Sequence, residues 1–202
     1  MLKPVEVAGR SSVEETRHRI LTATRELYAE KGSRGTTTRE VADRAGVNEA
    51  TLFRHFGTKS QLLNEMLEYF SPVATIAMLL EEVRGIESLE VQLQRIGLGM
   101  VEALRQREDL IKVTMAEEVA NPGGITCAWR TVAPARAAIA DFMREKVERR
   151  ELSGDSDALT RLLMSLFFAY VMARKLWGDF EVTTENAVKM MVDLFLNGAR
   201  VR

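Results

Sequence analysis

Four helix starts fall within the first sixty residues, and they decide how this stretch can fold. "SSVEE" sets Ser11 or Ser12 three residues before Glu14 or Glu15, "TTRE" sets Thr37 before Glu40, and "TKSQ" sets Thr58 before Gln61. Each has the spacing at which a cap hydroxyl and a side chain three residues on satisfy each other's backbone N–H. Asn48, a good N-cap, opens a fourth start before "EATLF". Gly32 and Gly46 punctuate the series. Two of the helices so delimited are shorter than the ~12 residues at which an isolated helix persists in water. They can exist only by packing on neighbours.

The apolar positions show how. Ile20, Thr24, Leu27 and Tyr28 share a face of the first helix; Val41, Ala42 and Ala45 line the second; Leu52 and Phe56 line the third. Small Ala42 permits close approach, and Gly46 permits the positive φ of a tight turn at Gly46-Val47. This is a helix-turn-helix pattern, with residues 49–55 as its recognition helix. Beyond residue 70 the helices lengthen, with expected spans of 88–106, 108–120, 126–151, 155–178 and 183–199. Ser71-Pro72 marks a kink or a fresh start, and Pro134 is expected to kink or split the helix that contains it. No run alternates as a strand would. The expected fold is all-α, about nine helices, with an N-terminal three-helix domain over 13–63, a helical bundle over 64–202, and a flexible N-terminus over 1–12.

Composition excludes more than it suggests. Among 202 residues, 28 Lys and Arg balance 29 Asp and Glu, so any polyanion must be met by a local patch rather than by bulk charge. One cysteine, Cys127, excludes an intrachain disulfide and a cysteine-rich zinc site. Two histidines, no Gly-rich phosphate loop and no standout carboxylate pair speak against an enzyme, and no metal or cofactor is expected. The N-terminus lacks an apolar signal core. The apolar stretch around 162–173 is shorter than the ~20 residues that span a bilayer. A cytoplasmic protein without a membrane role is the expectation.

The stretch "TRHRILTATRELYAEKGSRGTTTREVADRAGVNEATLFRHFGTKSQLL" (16–63) resembles the DNA-binding domain of the TetR family of transcriptional regulators. The matching parts are the Ile-Leu-x-Ala-x-x-Leu-Tyr helix, "EKG", the "VA-x-x-AGV" helix and turn, "TLFRHF", and the lysine three residues later. The resemblance implies that Thr38 touches a phosphate and that Arg39 reaches a base or a neighbouring phosphate. It places Asn48, Glu49 and Ala50 at base edges in the major groove, and Thr51, Phe53, His55 and Lys59 on the DNA backbone. Two positions depart from the family: Phe53 stands where tyrosine is usual, and Glu49 where a neutral or basic residue is common. Glu49 has two readings, acceptor for a cytosine amino group or partner of its own helix N-terminus.

The same resemblance implies a homodimer on a palindromic double-stranded operator, paired through the last two helices, and a small-molecule effector bound in the body. Apolar stripes nominate Leu159, Leu163, Leu166, Tyr170, Met190, Met191, Leu194 and Phe195 for pairing. Met100, Met115, Trp129, Phe142, Met143, Phe168 and Met172 are candidate walls of a largely apolar effector pocket, since flexible methionines suit adaptable cavities. Glu117, sharing a helical face with Leu110, Val113 and Thr114, is a candidate acid at its edge. The function so reached is a ligand-responsive repressor. A helical scaffold that binds protein instead of DNA is the alternative, and a weak response to salt would mark it.

Overall fold

The computed structural model describes residues 12–120, 128–174, 178 and 182–199, and among these every element is a helix. In chain order they are α1 (Ser12–Gly35), α2 (Thr38–Ala45), α3 (Glu49–Phe56), α4 (Lys59–Tyr69), α5 (Val73–Val83), α6 (Leu89–Arg105), α7 (Glu108–Ala120), α8 (Ala128–Glu148), α9 (Ser156–Met172) and α10 (Thr184–Ala199). Helices α2, α3 and α4 begin at the expected caps Thr37, Asn48 and Thr58. Ser11 of the first box lies outside the described residues. Ser71-Pro72 proves a fresh start, with Pro72 as N-cap of α5. Pro134 does not split its helix: α8 runs through it.

The chain divides into two compact units. One comprises Met1–Phe70 with Asp109–Ala128, the other Ser71–Glu108 with Trp129–Arg202. This division differs from the sequence boundary at residue 63. Leu62, Leu63, Met66 and Leu67 turn the inner face of α4 into the first unit's core, beside Ile20, Leu27, Tyr28, Val41, Leu52 and Phe56. Leu110 of α7 enters that core from 40 residues beyond Phe70, with Val113 packed against it. A continuous domain read along the chain cannot show such a return.

In the second unit, Leu93, Ile96 and Val101 of α6 meet Ile139 and Met143 of α8, Leu163 and Phe167 of α9, and Val188 and Val192 of α10. Gly97 sets the approach. A Cβ there would lie 2.5 Å from Phe167 Cζ and 2.8 Å from Val188 Cγ1, well inside contact distance. Among the described residues no helix is long and apolar enough to cross a membrane.

Candidate nucleic-acid interface

The first unit displays α3 by fixing both its ends. Thr37 accepts from the Glu40 N–H at 3.2 Å, and the Glu40 carboxylate reaches back to the Thr37 N–H at 3.4 Å, completing the reciprocal cap of α2. Gly46 then adopts φ 65, ψ 40, the left-handed conformation that ends α2, and its N–H returns to the Asp43 carbonyl. Asn48 Oδ1 accepts from the Thr51 N–H at 2.7 Å and starts α3. At the other end Gly57 (φ 71) returns its N–H to the Phe53 carbonyl at 2.8 Å. Arg17 locks this end: its guanidinium lies 4.6 Å from the centroid of Phe56, donates to the His55 carbonyl at 3.4 Å, and pairs with Glu65. Sequence reasoning did not single out Arg17. Its pattern signal was only an arginine one turn from the apolar face of α1, which is ordinary.

With Leu52 and Phe56 buried, the outer face of α3 carries exposed Ala50, Phe53 and Arg54, and half-buried Glu49, Thr51 and His55. Phe53 is 43% exposed. Asn48 and Arg39 are exposed, and Lys59 is the first residue of α4. None of the ion pairs among the described residues involves Arg39, Arg54 or Lys59. Arg44, by contrast, is held by Glu30 at 2.8 Å and Glu26 at 3.7 Å. These three cations lie on or beside the helices of the helix-turn-helix, Arg39 on α2, Arg54 on α3 and Lys59 at the start of α4. Arg54 is not among the contacts that the resemblance implies.

Thr38 and Glu49 are bonded to each other, the Thr38 hydroxyl donating to Glu49 Oε1 at 2.7 Å. Glu49 stands at the start of α3, where a carboxylate suits the helix dipole, and also braces the start of α2.

Two carboxylates of this unit titrate low. The Lys31 ammonium, 2.5 Å from Glu40, and then the Thr37 hydroxyl hold Glu40 below the ordinary carboxylate range, and the Arg44 guanidinium does the same for Glu30. A group whose folded pKa lies below its unfolded value gives stability above the unfolded pKa and loses it as pH falls through the folded one. The first unit is therefore expected to lose melting temperature as pH drops through the carboxylate range. Glu40→Gln should flatten part of that fall, modestly because the pair is exposed. Thermal melts of both proteins across that range provide the check.

The residues nominated for an effector are divided between the two units. Met100 and Met143 are buried in the second unit's core, where Phe142 and Met172 pack at its edge, and Phe168 is half-buried. Met115, 51% exposed, and Glu117 belong to the first unit. The Trp129 side chain lies outside the described residues. A cavity of about 640 Å³ in the second unit is lined by Phe142, Leu80 and Ala77 but also by Arg84, Lys146 and Arg149. Of the residues nominated for an effector, Phe142 is the one in this lining.

The nominated pairing residues divide as well. Leu159, Leu163 and Phe195 face the unit's own core, and Leu166, Tyr170 and Met191 pack at its edge. Met190 and Leu194, one turn apart on α10, are 59% and 68% exposed, and Leu162 of α9 is 60% exposed.

Comparisons with known proteins agree with this geometry. Residues 20–66 match the family model described as bacterial regulatory proteins, tetR family. YvkB of Bacillus subtilis, an uncharacterised HTH-type transcriptional regulator, is 30% identical over 186 residues, covering 91% of this chain and 96% of its own. Rv3405c of Mycobacterium tuberculosis, an HTH-type transcriptional repressor, is 37% identical over 91 residues, covering 45% of this chain and 47% of its own. A crystal structure from Mesorhizobium loti, described as a TetR-family transcriptional regulator, superposes with TM-score 0.77 at 20% identity, over 95% of this chain and all of that one. Helix order, the displayed α3 and a relative matched along nearly its whole length agree, and the chain belongs to the TetR family of helix-turn-helix transcriptional regulators.

Proposed function

We propose that the protein is a homodimeric repressor that grips a palindromic operator with two copies of α3 and releases it when a small molecule binds the second unit. The observation that carries the DNA half is an exposed α3 face, anchored by Leu52 and Phe56, that holds Arg54 and is flanked by Arg39 and Lys59, three cations outside the ion pairs among the described residues. One eight-residue helix reads too few bases for strong specificity, and pairing supplies a second half-site about one helical turn away. Exposed Leu162, Met190 and Leu194 support pairing through α9 and α10. The repressor sense is supported by the likeness to Rv3405c. The effector must bind the DNA-incompetent state better, and operator must weaken effector by the same factor.

Selection of bound duplexes from a random pool at two salt concentrations tests the reading. Recovery of a palindrome whose binding falls steeply with salt supports it; enrichment of nothing at either salt overturns it. Within the recovered site, Lys59→Ala is expected to weaken all sequences alike. It should also lower the log–log salt slope by roughly 2, one phosphate per subunit. Asn48→Ser, which keeps the cap oxygen but removes the amide, should instead change preference among sequences. Equal effects of both substitutions on every sequence would contradict that division of labour.

A further inference from the structure

Gly32 interrupts α1 with φ 69 and ψ −176, and this turns the Ser33 N–H out of the helical ladder. The N–H is met by Glu117 Oε1 at 2.5 Å, from 84 residues away. The other carboxylate oxygen accepts from the hydroxyl of Tyr28, itself fully buried, at 2.8 Å. A side chain at Gly32 would be strained by the positive φ, and its Cβ, 2.9 Å from Glu117 Oε1, would push the carboxylate aside. Below the break, the Thr36 N–H and hydroxyl both donate to the Gly32 carbonyl, at 3.1 and 2.7 Å, and α2 begins at Thr38. One carboxylate on α7 therefore sets where α1 ends and from where α2 departs. The nearer part of α7 is secured by Leu110 in the core and by the Arg25–Asp109 pair at 3.3 Å.

Helix α7 follows α6 after only Gln106 and Arg107, and α6 is a core helix of the second unit. Within that unit, Arg107 donates to the Ala103 carbonyl at 2.9 Å and to the Ser71 carbonyl at 3.3 Å, so the residues at which the chain leaves for the first unit are tied together.

We propose that Glu117 is a positioning residue for operator binding. It holds the α1–α2 junction at Gly32, and through it the recognition helix. The proposal rests on the operator reading above and assigns Glu117 this role in place of a pocket acid.

The test compares full-length wild type with Glu117→Ala, Glu117→Gln and Tyr28→Phe. It measures amide exchange of residues 33–37 together with affinity for operator and for random duplex, at a temperature where each protein is fully folded. Glu117→Ala is expected to speed Ser33 exchange and weaken operator binding by about tenfold each, the scale of a lost charge-assisted hydrogen bond. Binding to random duplex should be unaltered, since Glu117 itself meets no phosphate. Glu117→Gln, with one accepting oxygen, should recover part of the loss. A carboxylate that merely stabilises the fold would lower the melting temperature and leave the operator-to-random ratio unchanged, and that result overturns the proposal. Should Glu117→Ala not fold, Glu117→Gln and Tyr28→Phe carry the same test. If wild type selects no operator, the operator reading fails on its own, and unchanged Ser33 exchange in the variants would overturn the junction contact independently.

Discussion

Leu194→Glu is expected to give a folded monomer that has lost operator binding. The side chain is 68% exposed on α10, so the substitution removes almost nothing from the unit's own core, and circular dichroism and melting temperature should stay near wild type. In a two-fold pair the same patch meets itself. Two carboxylates would then be brought into the contact proposed for exposed Leu162, Met190 and Leu194, and desolvating unpaired like charges strongly opposes association. Losing the link between two recognition helices removes the avidity that joins two half-sites, about 10²–10⁴ in affinity. Light scattering on an exclusion column gives the mass, and titration of the operator gives the affinity. A variant that remains dimeric and binds as before would place pairing elsewhere. Leu163→Ala is the useful contrast. That side chain is fully buried, so its loss should cost about 2–5 kcal/mol of folding stability rather than the pairing itself.

That contrast shows where the sequence stops being informative. Leu159, Leu163, Met190 and Leu194 recur at helical spacing, and periodicity alone cannot tell a stripe facing the unit's own core from one facing outward. Exposure separates them: Leu159 and Leu163 are buried, Met190 and Leu194 are not. The N-terminal helices were legible because their signals are local. Thr37 and Glu40, Asn48 and Thr51, and the left-handed Gly46 all act within three or four residues. Arg17 on Glu65, Tyr28 on Glu117 and Thr38 on Glu49 act across 48, 89 and 11 residues, and no window along the chain joins them. Glu117 illustrates the cost: its helical face suggested a cavity edge, while its actual partners lie on a helix far earlier in the chain. The charged wall around Lys146 was hidden for a related reason, because it is assembled from α5, α6 and α8.

Gly97 was equally silent in the sequence, and it yields the second large effect. Gly97→Ala gains helix propensity, about 1 kcal/mol in an exposed helix. It also puts a methyl 2.5 Å from Phe167 Cζ and 2.8 Å from both Phe167 Cε1 and Val188 Cγ1. Phe167 and Val188 are fully buried, so neither can swing into solvent, and overpacking of this kind costs about 1–3 kcal/mol. The net expectation is destabilisation, and Gly97→Val should be worse because its branches point along the same approach. Phe167→Leu alone leaves a void beside Gly97 and destabilises for the opposite reason. Combined, the new methyl occupies space the ring has vacated, so the double variant should be more stable than the sum of the two single losses by about 1 kcal/mol or more. Denaturant melts of the four proteins measure that coupling directly. Additive losses would mean that α6, α9 and α10 shift apart freely, and the close approach at Gly97 would then not set their spacing. A strong coupling would identify the α6–α9–α10 contact as a tightly packed joint. The face that α9 and α10 offer for pairing would then share its packing with α6, the helix that continues into α7 and Glu117.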